Sequence, residues 1–262
     1  MEIPHFINPY QSLSGFVVGM LVGLTGVGGG ALMTPLLVLV FGIHPASAVG
    51  TDLLYAAVTK TGGTLVHGLN KTINWRITGL LASGSIPTTA ITIFGLSYFA
   101  GNTNSIGGVI STVLGFALIL TAIALLFRKW ILDFFARRFG EPKPARTRWL
   151  TIALGMWLGV LVSLSSVGAG AIGVTVLLIL YPRLPVAQIV GSDIAHAVPL
   201  TLIAGLGHWY LGDVNFVLLV SLLVGSLPGI ALGSHIAARI PDKVLRPVLA
   251  STLAVVGGRL VA

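Results

Sequence analysis

The chain has 262 residues, of which 55% are hydrophobic and only 8% charged, and its mean hydropathy is +0.98. A soluble domain carries about 25% charged residues, so a water-soluble globular fold is excluded. Fifteen Lys and Arg against seven Asp and Glu leave a formal charge of +8, and the absence of cysteine removes disulfides, thiolate metal sites and cysteine nucleophiles.

The N-terminus, Met1-Glu2-Ile3-Pro4-His5, lacks the basic region of a cleavable leader, and the first apolar run is too long and glycine-rich for one. Apolar segments follow at about 12–42, 46–69, 76–99, 106–128, 150–181, 185–209, 214–236 and 245–262, and a helical span needs roughly 20 residues. Long, uniformly apolar runs without the alternation of barrel strands predict helices.

The first segment is interrupted by Gly28-Gly29-Gly30. Glycine costs about 1 kcal/mol per residue in a helix relative to alanine, so a break is expected there. Each flanking piece is too short to cross a core of roughly 30 Å comfortably, which leaves either one broken crossing or a hairpin. The second segment carries a polar stripe: at 100° per residue, Asp52, Thr59, Lys60, Gly63 and His67 fall within a sector about 100° wide. Lys60 lies near mid-membrane, where a charge costs at least about 2.5–3.5 kcal/mol. It either attracts an anion or forms a pair broken during transport, or else it makes a static pair with Asp52. Pro87 and Pro228 are expected to kink matched spans. Asn74 and Asn215 read as turn residues or caps, and Trp75, Trp130, Trp149, Trp157 and Trp209 mostly as interfacial anchors.

Seven of the fifteen basic residues, Arg128, Lys129, Arg137, Arg138, Lys143, Arg146 and Arg148, crowd the long hydrophilic interval between segments. That is the signature of a cytoplasmic loop and not of a nucleic-acid surface. The chain divides accordingly into a first membrane repeat at 8–128, a basic cytoplasmic linker at 129–149 and a second membrane repeat at 150–262.

The two halves repeat. Gly50-Thr51-Asp52 answers Gly191-Ser192-Asp193, His67 answers His208, Asn74-Trp75 answers Asn215-Phe216, and Gly84-Ser85-Ile86-Pro87 answers Gly225-Ser226-Leu227-Pro228, all at one offset of 141 (191 less 50). Upstream the offset is 140, pairing Gly26-Val27-Gly28-Gly29-Gly30 with Ser166-Val167-Gly168-Ala169-Gly170.

Charge separates the two topologies. With the linker inside and 151–181 a hairpin, Lys71, Arg76, Arg183, Arg239, Lys243 and Arg246 all fall inside and both termini are periplasmic. A single crossing puts Arg239, Lys243 and Arg246 outside, against the positive-inside bias. The expected fold is therefore an all-α integral membrane protein with two inverted-topology repeats, each a Gly-broken re-entrant helical hairpin followed by three transmembrane helices.

A half-helix starting near Gly28 or Gly168 offers unpaired N–H groups and the positive end of its dipole to a small anion. Gly28, Gly29, Gly30, Gly168, Ala169 and Gly170, with hydroxyls from Thr25, Ser165 and Ser166, are candidate substrate ligands together with Lys60. The alternative for the glycines is close helix packing. Asp52, Asp193, His67, His196 and His208 are titratable groups in or near the spans and candidates for proton coupling, the alternative being caps or interfacial polar residues.

Gly23-Leu24-Thr25-Gly26-Val27-Gly28-Gly29-Gly30 with Pro35, then Ala48-Val49-Gly50-Thr51-Asp52, and Val190-Gly191-Ser192-Asp193-Ile194-Ala195-His196 with Gly212-Asp213-Val214-Asn215, resemble the sulfite exporter TauE/SafE family of bacterial inner-membrane transporters. The resemblance spans essentially the whole chain. It implies export of a small sulfur-containing anion such as sulfite, a sulfonate or a related organosulfur acid. The second repeat departs from the glycine pattern at Ala169 and Ser166. The expected function is a secondary active anion exporter coupled to protons, in a bacterial inner membrane, with no cofactor and with a homodimer left open. A passive anion channel is the alternative. An intramembrane enzyme built on Ser165, Ser166 and His196 ranks lower, because GxSxG, HExxH and paired catalytic aspartates are missing from the sequence.

Overall fold

A computed structural model describes residues 8–25, 30–99, 103–138, 144–237 and 242–261. Among them every regular element is a helix: α1 (Pro9–Thr25), α2 (Gly30–Leu39), α3 (Pro45–Leu69), α4 (Trp75–Phe99), α5 (Thr103–Leu126), α6 (Arg128–Arg138), α7 (Pro144–Ser165), α8 (Ala171–Leu180), α9 (Val186–Tyr210), α10 (Phe216–Ala237) and α11 (Asp242–Val261). Five stretches of the described residues are long and apolar enough to cross a membrane, at Trp75–Tyr98, Gly107–Leu126, Pro144–Ser165, Val186–Tyr210 and Phe216–Gly233. The protein is thus a multi-pass, all-α membrane protein.

Both long apolar runs break. The first divides into α1 and α2, with Gly26 to Gly29 outside the described residues, so the expectation placed on Gly28 and Gly29 lies there too. In the second, the chain leaves α7 through Ser166 at φ +58°, Gly168 at +121° and Gly170 at +108° before α8 begins. Left-handed backbone is unfavourable for any residue with a Cβ, so two glycines meet this need and Ser166 carries the strain. The half-helices α2 and α8 have 10 residues each, about 15 Å of rise, half the thickness of a bilayer core.

Three features differ from the sequence reading, the first being that α7, with 22 residues, is long enough to cross by itself instead of forming a short hairpin arm. The basic interval contains a helix, α6, whose Trp130 and Phe134 rings stack at 5.6 Å, and α7 starts at Pro144, not near 150. Hydropathy misses the last two for the same reason: Arg128, Lys129, Arg137 and Arg138 in α6, and Arg146 and Arg148 in the opening turns of α7, are compatible with a helix but not with an apolar run.

Packing between the halves is reciprocal. Helix α1 packs on α10 as α7 packs on α4, α3 packs on its counterpart α9, and α5 on α11. Glycine sets the closeness of these crossings. A Cβ on Gly15 would meet Leu222 O at 2.5 Å, and one on its counterpart Gly155 would collide with Leu81 O; Gly225 faces Ser12 O as Gly84 faces Ile152 O. Such small-residue contacts let backbones approach where apolar burial alone gives helices no reason to associate. Hydrogen bonds follow the same exchange: the N–H of Asn74 donates to Ser192 Oγ at 2.8 Å, and the N–H of Asn215 donates to Thr51 Oγ1 at 3.1 Å. The 141-residue offset read from the sequence thus reappears as contacts made twice across the molecule.

Candidate functional site: a polar centre on the α3–α9 pair

The centre of the molecule is built on the two counterpart helices. Asp52 and Tyr55 on α3 and Asp193 and His196 on α9 are fully or almost fully buried, one helical turn apart on each helix, so each pair lies on one face. Lys60, two turns beyond Asp52, is half-buried and within electrostatic reach of both carboxylates. It makes no hydrogen bond or close ion pair to another described residue.

Each half-helix leans on the aspartate of the span that follows it. Thr34 of α2 donates from Oγ1 to Asp52 Oδ2 at 2.5 Å. On the other side, the N–H of Gly170 faces Asp193, and a Cβ on Gly173 would collide with Asp193 Oδ1. The positive end of α8 is therefore directed at a buried carboxylate of the protein, which compensates that charge. Any anion has to share this position with Asp193.

The second layer also has counterparts. Ser85 of α4 meets His196 Nε2 at 2.8 Å. At the equivalent place, Ser226 of α10 faces the Tyr55 hydroxyl. What the pairs leave open matters most. Asp52 Oδ1, Tyr55 OH, Ser166 Oγ, Asp193 Oδ1 and His196 Nδ1 are all buried with no hydrogen-bond partner among the described residues. Ser166, from the break between α7 and α8, is close enough to Asp52 to interact with it. Buried polar atoms are paired in the great majority of cases, and leaving one unpaired costs about 1–3 kcal/mol. Five such atoms lie around this helix pair, Asp52 Oδ1 and Ser166 Oγ among them close to each other.

The other expected site residues fall elsewhere. Gly30 opens α2 and Thr25 ends α1, but the Thr25 side chain lies outside the described residues. Ser165 is used locally: its Oγ donates to Leu161 O at 2.7 Å and accepts from the N–H of Val167 at 3.2 Å, stapling the break. Ala169 packs against the apolar core around Leu158 and Leu177, and Gly168 abuts Leu161. His67 pairs with Thr72 Oγ1 at 2.8 Å at the end of α3. His208 bridges Asp213 Oδ2 at 3.2 Å and Ser163 O at 2.9 Å. Both ring nitrogens of His208 are thus occupied in tying α9 to α7 and to the α9–α10 turn, away from the open polar atoms.

Thr34, Tyr55, Ser85 and Ser226 belong to the centre but stand out in no single segment. The signal that finds Tyr55 is the repeat, because Tyr55 and His196 are 141 residues apart and one of them is a buried histidine.

The sulfite exporter TauE/SafE family model matches residues 12–260. The chain is 40% identical over 250 residues to the "Probable membrane transporter protein YjnA" of Bacillus subtilis, covering 95% of this chain and 98% of the relative. It is 30% identical over 267 residues to a "Probable membrane transporter protein" of Methanocaldococcus jannaschii, covering 95% and 93%, and 29% identical over 247 residues to YdhB of Bacillus subtilis, covering 92% and 95%. No solved structure matches significantly. With a polar centre buried between two counterpart helices and a family match along almost its full length, this chain belongs to the sulfite exporter TauE/SafE family of membrane transporters.

Proposed function

We propose that the chain is a secondary active transporter that moves a small anion through the α3–α9 centre by alternating access between two inverted repeats, 8–128 and 150–262, joined by a basic cytoplasmic linker at 129–149. The observation that carries the reading is the group of five buried, unpartnered polar atoms beside Lys60. A static core has no use for them, whereas a ligand entering from either side completes their hydrogen bonds. Reciprocal packing between the halves supports a two-fold relation, which exchanges α1–α10 with α7–α4 and leaves α3–α9 and α5–α11 as self-pairs, and the charge count of the loops favours an axis in the membrane plane. The positive-inside bias then sets the orientation, with both termini periplasmic in a bacterial inner membrane.

Charge at the centre argues for proton coupling. With Lys60 protonated and both Asp52 and Asp193 ionised, the cluster carries one net negative charge and repels an anion. One proton on the carboxylates removes that repulsion, and a second reverses it. Proton and anion binding therefore favour each other, and linkage makes the favour mutual. The two travel in the same direction, so outward movement is driven by the anion's own gradient. The family's name supports a sulfur-containing anion such as sulfite, a sulfonate or a related organosulfur acid.

The test is uptake by proteoliposomes of sulfite, thiosulfate, sulfoacetate and simple carboxylates, with and without a pH gradient, for the wild type and Lys60→Met. Saturable uptake of a sulfur anion that responds to the pH gradient is expected. Loss of Lys60, the one Lys or Arg among the described residues of the centre, is expected to lower it by about 10- to 150-fold, the equivalent of a charge-assisted bond of about 1.5–3 kcal/mol. Unaltered uptake by Lys60→Met refutes the site, and unsaturable ohmic current identifies a channel.

A further inference from the structure

Away from the centre, a cleft of about 330 Å³ opens where the start of α4, the start of α7 and the α8–α9 turn meet. Each of the three contributes an arginine: Arg76, Arg148 and Arg183. Between them lie the Asn74 side chain and an apolar floor that includes Ile77, Leu80 and Leu184, and no carboxylate is among the lining residues. We propose that this cleft is a binding site for the phosphate headgroup of an anionic phospholipid.

Four observations converge on that ligand. The guanidinium is planar and matches phosphate oxygens two at a time, so arginines closing on one cleft suit a phosphate better than a lone cation does. Arg183 and Thr147 have further interactions within the chain, so Arg76 and Arg148, both exposed, are the arginines the site depends on. The cavity is at the lower end of the roughly 300–1,000 Å³ typical of small-ligand pockets, which suits a headgroup whose acyl chains stay outside. Trp75 and Trp149 adjoin these two arginines in sequence and are 66% and 70% exposed, the placement of residues at the membrane–water interface. A headgroup phosphate sits at that same level, with its chains outside the cleft along the exposed flank of α4.

The repeat separates this cleft from what the fold requires. The counterparts of Arg76 and Arg148 are Val217 and Asn8, and the turn matching Arg183 reads Gly42-Ile43. None of the counterpart positions carries an arginine. A general excess of positive charge at one end explains basic residues there, but not their convergence on one concave surface. A bound headgroup bridges α4 of the first half to α7 and the α8–α9 turn of the second, so it clamps the contact between halves.

The experiment uses the full chain, delipidated in neutral detergent at roughly physiological salt, and reads thermal stability and retained lipid by native mass spectrometry. Phosphatidylglycerol is compared with phosphatidylcholine and with inorganic phosphate. Phosphatidylglycerol is expected to stabilise the wild type and to bind Arg76→Gln/Arg148→Gln at least tenfold more weakly. The control Lys71→Gln/Arg137→Gln, which removes the same charge outside the cleft, is expected to bind as the wild type does. If the double glutamine variant does not fold, Arg76→Lys/Arg148→Lys keeps the charge and removes the planar fork, and weaker binding is again expected. Equal stabilisation by phosphatidylcholine, or full binding by the cleft variants, overturns the proposal. Stabilisation by inorganic phosphate equal to that by phosphatidylglycerol also overturns it, by assigning the cleft to a soluble anion.

Discussion

Substituting alanine for Gly84 or Gly225 tests whether the duplicated crossings hold the two halves together. A Cβ on Gly225 collides with Ser12 O and comes within 2.6 Å of Ser12 C and 2.9 Å of Phe16 N, while one on Gly84 collides with Ile152 O and comes within 2.8 Å of Met156 N. Every obstructing atom is backbone, so no rotamer change relieves the clash. The helices have to part by about 1 Å, and a gap of that size forfeits a quarter to a half of each dispersion contact along the seam. Overpacking of this kind costs about 1–3 kcal/mol, and the upper end applies here because only backbone can yield. Each variant is therefore expected to lose about 3 kcal/mol, a shift of roughly 150-fold in the folding equilibrium. The two losses are expected to agree because the contact is the same one made twice. Gly258 is the control: it is also helical, but a Cβ there meets nothing within 4 Å, and Gly258→Ala is expected to gain about 0.5–1 kcal/mol. Equilibrium unfolding in mixed detergent and SDS micelles measures all three. If Gly84→Ala and Gly225→Ala fall within about 0.5 kcal/mol of Gly258→Ala, the crossings are not the seam they are taken to be.

Ser85→Ala removes the partner of His196 Nε2 in a buried setting and is expected to cost about 1–3 kcal/mol, while Ser226→Ala, facing a Tyr55 hydroxyl that is already unpaired, is expected to cost under about 1 kcal/mol; the same unfolding assay orders the two. His208→Ala breaks the bridge from Asp213 to Ser163 O and is expected to lower stability by about 1–3 kcal/mol. It should leave the pH dependence of transport by the folded fraction unchanged, as measured in proteoliposomes across pH 5.5 to 8, roughly the window in which histidine titrates. A shifted pH profile returns His208 to proton coupling.

How much of this was legible beforehand depends on what local sequence encodes. Segments such as 46–69 and 185–209 lie within one residue at each end of α3 (Pro45–Leu69) and α9 (Val186–Tyr210), because proline, glycine and asparagine mark their ends and hydropathy fills the interior. Asp52, Lys60, Asp193 and His196 were legible as charges and a titratable group in apolar surroundings. Their companions were not. Ser85 and Ser226 stood out only as matched positions of the repeat and Tyr55 not at all, until the repeat sets Tyr55 opposite His196 and the fold brings a serine to each. His208 carried two readings, a titratable group or a cap, and its partners, 5 and 45 residues away, are visible only in tertiary structure.

Duplication also supplies the reference against which departures acquire meaning. Contacts preserved in both copies, such as Gly84 with Gly225 and Asn74 with Asn215, are what two identical frames need in order to pack. Positions that differ between the copies are released from that need, so each difference calls for a reason of its own. Lys60 stands against Thr201, His196 against Tyr55, and Gly173 against Met33. All six are on α2, α3, α8 or α9, the helices that surround the two aspartates. The helix contacts are thus repeated between the halves while the charges around Asp52 and Asp193 are not.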